Sequence, residues 1–71
     1  MRITSLGRKV LTLIAGSPSG LTVDELCRTL PKVARERMWG IAVQLQADHL
    51  IGIVPGFKLE VTGLGRDVAS R

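Results

Sequence analysis

Cysteine, histidine and tyrosine are scarce in this chain of 71 residues, which has one cysteine (Cys27), one histidine (His49) and no tyrosine. A lone cysteine argues against a disulfide framework and fits a reducing compartment. One histidine and one cysteine give no metal-ligand spacing, so no metal or other cofactor is expected. Catalytic constellations are missing as well. Asp24 and Glu25 are adjacent and read as capping residues, and Cys27 reads as the core of a helix. Gly63-Leu64-Gly65 has too few glycines for a phosphate loop. The chain is therefore not expected to be an enzyme, and no small-molecule substrate is evident. Long apolar runs are also lacking. The longest, Val10 to Ala15, is broken by Thr12 and is far too short to span a bilayer. No small-residue cleavage pattern follows it, so neither a secretory signal nor a membrane partner is expected, and the expected location is the cytoplasm.

What is present suffices for one domain, residues 1–71, with 45% hydrophobic residues to build a core. A chain this short buries only roughly 60% of its unfolded surface. Dimerisation or ligand binding is thus a candidate source of further stability. Ten Lys and Arg against six Asp and Glu give a formal charge of +4. That balance favours an acidic partner such as nucleic acid or an anionic membrane, with ordinary solubility as the alternative. The charge is also concentrated. Residues 28–37 hold Arg28, Lys32, Arg35 and Arg37 against Glu36 alone, a local net of +3.

Periodicity orders the chain into short elements. Thr4 and Ser5 suit an N-cap, and Leu6, Val10, Leu11, Leu13 and Ile14 fall on one broad helical face. Gly16-Ser17-Pro18-Ser19-Gly20 ends that helix. Leu21 is expected in a short extended stub. Thr22-Val23-Asp24-Glu25 matches a capping box, which opens a second helix from Val23 to about Leu30. Pro31 cannot continue it, but suits the first turn of a third helix, expected from about Val33 to His49. On that helix Ala34, Met38, Ile41, Ala42 and Leu45 are expected to face the core. Lys32, Glu36, Trp39, Val43 and Gln46 are expected to point away, with Arg35 and Arg37 on the flanks. Gly40 costs roughly 1 kcal/mol relative to alanine, which a close approach or a local bend would explain.

Leu50 to Val54 reads as a strand. Phe57, Leu59 and Val61 alternate with Lys58 and Glu60 as a half-buried partner strand. Pro55-Gly56 joins them in a loop expected over Val54 to Phe57. Thr62 caps a last helical turn through Val68-Ala69. Thr4-Ser5-Leu6-Gly7-Arg8-Lys9-Val10 and Thr62-Gly63-Leu64-Gly65-Arg66-Asp67-Val68 agree at five of seven positions. The chain is too short for a repeat array, so the echo reads as two helix starts sharing a Thr cap and an apolar face.

The layout resembles the winged helix-turn-helix superfamily of bacterial and phage regulators. Leu45-Gln46-Ala47-Asp48-His49-Leu50-Ile51 is similar to the segment where that family's recognition helix gives way to its first wing strand. Leu59-Glu60-Val61-Thr62-Gly63-Leu64-Gly65-Arg66 is similar to its second wing strand and the ending that follows. The resemblance implies an α+β fold of three helices, a two-stranded β-hairpin wing and a short C-terminal helical turn. It also implies double-stranded DNA as partner, often bound by a dimer, with the third helix in the major groove. His49 stands where the family usually has glycine, and Lys58 is the only cation of a very short wing.

Under that reading the chain is a small sequence-specific transcriptional regulator. Arg35 is the candidate base reader, because arginine can donate twice to guanine O6 and N7. Arg28, Lys32 and Arg37 are candidates for phosphate contacts, with Glu36 among them and Lys58 a minor contributor from the wing. Gln44 and Gln46 suit adenine but lie far along the helix. Arg8 and Lys9 either add phosphate contacts or sit on a neutral surface. Trp39 leaves two readings open. Exposed beside Val43, it would make a protein interface, either a homodimer or part of a larger assembly. With a small phase error in the helical wheel, it packs against the hairpin or the second helix.

Overall fold

The computed structural model describes residues 3–71. Helix α1 (Ser5–Ala15) leads through a Gly-Ser-Pro loop into strand β1 (Leu21–Thr22), and α2 (Val23–Thr29) follows at once. Then come α3 (Arg35–Ala47), the hairpin β2 (Ile51–Val54) and β3 (Lys58–Val61), and finally α4 (Gly63–Ala69). The three strands form one antiparallel sheet in the order β1-β3-β2. The fold among the described residues is therefore α+β, with four helices and three strands.

Two features exceed the sequence-based expectation of three helices and a two-stranded hairpin. The stub at Leu21 is a true third strand that pairs Leu21 with Leu59 and Thr22 with Lys58. Two residues are too few to carry a period-two signal. The C-terminal helical segment, expected from a Thr62 cap through Val68-Ala69, is a helix of seven residues, Gly63–Ala69. Its Thr62 Oγ1 accepts from the Gly65 N–H at 3.0 Å, just as Thr4 Oγ1 accepts from the Gly7 N–H at 2.9 Å. The internal echo is thus a shared cap.

The core is assembled from every element. Val10, Leu11 and Ile14 of α1 meet Val23 and Leu26 of α2 and Met38, Ala42 and Leu45 of α3. Leu50, Ile51, Leu59 and Val68 close it from the sheet side and α4. Arg8 ties the first and last helices together, donating from a guanidinium nitrogen to the Val68 carbonyl at 3.0 Å. A cation at the C-terminal end of α4 also suits the helix dipole. This internal role of Arg8 is neither the phosphate contact nor the neutral surface expected for it.

Helix α3 starts two residues later than expected. Pro31 and Lys32 lie in a turn ahead of it, not in its first turn, and Ala34 is its N-cap. Ala34 is consequently exposed and not part of the core. At the other end Ala47 is the last helical residue, and the chain leaves through a Schellman motif. The His49 N–H donates to the Gln46 carbonyl at 2.9 Å, and the Leu50 N–H reaches back to the Leu45 carbonyl at 2.9 Å. His49 takes φ 61°, so it adopts the left-handed conformation that glycine usually supplies at this position. Phe57 does likewise at φ 57°, in the turn that follows Gly56, and is therefore outside β3 and not half-buried within it.

The two glycines Gly65 and Gly40 have opposite surroundings. A Cβ at Gly65 would fall on the Leu50 carbonyl oxygen, 2.8 Å from the carbonyl carbon and 2.9 Å from Val61 Cγ2. A Cβ at Gly40 would meet nothing within 4 Å, and α3 runs through it without a break. Among the described residues there is neither the close approach nor the bend expected at Gly40. Opposite stability changes should result. Gly65→Ala should lower unfolding free energy by about 1–3 kcal/mol through backbone displacement. Gly40→Ala should raise it by about 0.5–1 kcal/mol. Denaturant melts of dilute protein measure both. A Gly65→Ala variant as stable as the parent would contradict the packing at Leu50.

Candidate nucleic-acid interface

The capping box fixes the start of α2. Thr22 Oγ1 accepts from the Glu25 N–H at 3.1 Å, and Glu25 Oε1 accepts from the Thr22 N–H at 3.0 Å. With the cap set and Leu26 fully buried, Asp24 and Arg28 are left on the exposed side of α2. The helix ends at Leu30, whose N–H donates to the Leu26 carbonyl at 2.9 Å. A short turn closed by Val33 N–H to the Leu30 carbonyl, 3.0 Å, then delivers the chain to α3. Ala34 has no side-chain acceptor, so the first-turn amides of α3 have no side-chain cap.

Met38, Ala42 and Leu45 anchor α3 in the core. Its outer surface carries Arg35, Glu36, Arg37, Gly40, Val43, Gln44, Gln46 and Ala47. Arg35 reaches across to α2 and pairs with the Asp24 carboxylate. Both side chains are more than half exposed, so this pair adds little to stability and opens readily to a competing anion.

Trp39 does not stand opposite the core. It is half-buried and packs against the hydrophobic cluster, on the alternative phase that the helical wheel left open. With Thr22, Val23, Asp24, Arg35, Gly56 and Phe57 it lines a shallow cleft between α2, α3 and the hairpin tip. Phe57 forms the outer lip and is 71% exposed. The Trp39-Val43 patch is thus smaller than expected, because Val43, 56% exposed, is its only large freely accessible apolar side chain.

The six charged residues expected at the interface are all exposed, and the five cations among them occupy three settings. Arg35 lines the cleft beside Phe57, and Lys58 follows Phe57 on β3. Lys58 pairs with Thr22 across β1-β3, and Arg28 follows Glu25 by three residues on α2. Glu36 sits in the first turn of α3. Lys32 lies with Lys9, Leu6 and Pro31 beside α1. Arg37 lies on the other flank of α3, in a groove shared with Ile3, Thr4 and Gly7.

Sequence reasoning passed over two residues of the cleft. Asp24 reads as a helix-start acid and nothing more. Phe57 reads both as the end of the Val54 to Phe57 loop and as the start of the alternating strand, and the structure places it in the turn. Among the described residues, no three His, Cys, Asp or Glu side chains come together to hold a metal ion. No helix among them is long and apolar enough to cross a membrane.

Glu25 links the cap to the cations. Its carboxyl is held below the usual carboxylate range, first by the Thr22 backbone N–H, then by the Thr22 hydroxyl, with smaller help from Lys58 and Arg28. A depressed folded-state pKa adds stability above the unfolded value and loses it as pH falls through the folded value. The Tm of the parent should therefore fall on acidification below about pH 4.3, the ordinary Glu value. Glu25→Gln should flatten part of that decline. Equal acid dependence in parent and variant would show that the cap does not respond to charge. Comparison of the chain with protein-family models, with curated proteins and with solved structures finds no match.

Proposed function

We propose that the chain is a winged helix-turn-helix protein that binds double-stranded DNA sequence-specifically as a small transcriptional regulator, with α3 in the major groove. The observation that carries this reading is the shared face of α2, α3 and the hairpin. There Arg35 at the start of α3 lines the cleft with Asp24, Trp39 and Phe57, Lys58 follows Phe57 on β3, and Arg28 stands exposed on α2. The element order and the β1-β3-β2 sheet suit a helix-turn-helix followed by a hairpin wing.

In this reading α2 braces α3 and Arg28 holds a phosphate, while Lys58 contributes a second phosphate contact from the wing. Arg35 leaves Asp24 for a base edge. An exposed ion pair is worth about 0.2–1 kcal/mol and a good bidentate arginine–guanine contact about 1–3, so the exchange is favourable. Asp24 acts as a gate, because its carboxylate competes with DNA for the same guanidinium. Glu36 adds a second acid to the face and disfavours closely placed phosphates.

The second reading, a protein-interaction module, is favoured by the exposed Phe57 beside Trp39 and by Val43. Aromatic side chains are common anchors of protein interfaces.

Fluorescence anisotropy on duplex DNA across a salt series separates the two. Log affinity should fall with log salt by about 0.9 per phosphate neutralised. Lys58→Ala should weaken binding uniformly across sequences and reduce the slope by about 1. Arg35→Ala should lose about 1–3 kcal/mol on the selected site and little on random duplex. Asp24→Asn should tighten binding. Absence of binding at low salt would remove the DNA reading and leave the Phe57-Trp39 surface.

A further inference from the structure

Among the described residues, nothing explains Gly40. It weakens the middle of α3, yet open space surrounds the position of a Cβ there. It lines a groove of about 330 Å³ between α3 and the start of α1, floored by Ile3, Ile41 and Leu45. Arg37 lies toward one end of the α3 side of this groove and Asp48 toward the other. Eleven positions apart, they share one helical face and lie roughly 16 Å from each other along the axis. Neither of the two ion pairs among the described residues involves Arg37 or Asp48. Gln44, between them, donates to Asp48 at 3.3 Å.

The end charges of this face are complementary when it is reversed. A twofold axis that sets Arg37 against the partner's Asp48 also sets Ile41 against the partner's Gln44. The same axis lays Gly40 over the stretch of helix at the partner's Leu45, whose side chain is turned into its own core. A twofold interface requires this reciprocity, since each contact occurs twice. The bare backbone at Gly40 would let the two helices approach closely.

We propose that two copies of this chain associate through antiparallel α3 helices across this groove, with reciprocal Arg37–Asp48 ion pairs. The glycine is then an adaptation to the second helix. Arg37 belongs to this contact and leaves the DNA-contact set, whereas Arg35 and Trp39 lie on the other flank. The inference stands apart from the DNA reading, and its test contains no DNA.

Sedimentation equilibrium of the full chain over a wide concentration range tests it. The parent should show a monomer–dimer equilibrium. Arg37→Asp and Asp48→Arg should each raise the dimer Kd about tenfold or more, because symmetry counts every change twice. The double variant Arg37→Asp/Asp48→Arg should recover association. A cation at position 48 suits the helix C-terminus, so circular dichroism should show both single variants folded. Gly40→Ala should weaken the dimer while the isolated chain melts at a higher temperature, which a purely internal role of Gly40 would not produce. A chain monomeric throughout, or a dimer indifferent to both single swaps, would overturn the proposal. So would a double variant that fails to recover.

Discussion

The backbone at Leu50 is the constraint on which the rest of the structure depends. Its N–H closes the end of α3 on the Leu45 carbonyl, and its carbonyl accepts the Thr62 N–H at 3.0 Å. The Thr62 hydroxyl holds the neighbouring His49 carbonyl at 2.6 Å. The Leu50 side chain is fully buried. One residue therefore ends a helix, starts a strand and seats the start of α4. Only a residue without a side chain fits at Gly65, where α4 crosses that carbonyl. The left-handed turn at His49 makes the junction possible, since it redirects the chain within one residue.

From this junction the exposed face follows. The direction of α3 is set by its buried residues and by Leu50, and the hairpin leaves from the same point. The cleft around Trp39 is the space left between α2, α3 and the hairpin tip. Its charge is balanced rather than uniformly basic, because Asp24 holds Arg35 and Glu25 lies near Arg28 and Lys58. A face of this kind has a modest nonspecific attraction for phosphate. Under the proposed DNA reading, discrimination rests on the geometry of a few directed donors.

Much of the fold was legible in the sequence, and the physical reasons differ by element. The Thr22–Glu25 capping box announced α2 because two side chains must be of the right type at the right spacing. The apolar face of α1 showed Val10, Leu11 and Ile14 as core. The start of α3 was misplaced because Pro31 suits a turn as well as a first helical turn. Trp39 leaves two readings open in the sequence because a half-buried position lies near the boundary of any helical wheel. Phe57 was hidden by its alternation with Leu59 and Val61. Of the candidate site, the charged residues were visible as a cluster, but their division among three settings depends on how α1 and the hairpin pack. The Arg35–Asp24 pair spans two helices and leaves no trace in local spacing.

The two-residue strand β1 has a consequence for assembly. It joins β3 across a long stretch of chain, pairing Leu21 with Leu59, whereas β2 meets β3 across a three-residue turn. Closing the longer loop carries an entropy penalty that grows with its length, and two backbone pairs are a small return on it. The pairing of β1 therefore relies on the burial of Val23 and Leu26 just beyond it. It acts as a latch that closes once the helices have collapsed onto the hairpin. Nucleation belongs to the local contacts of α3, Leu50 and β2-β3, and the fold is completed from its middle outward.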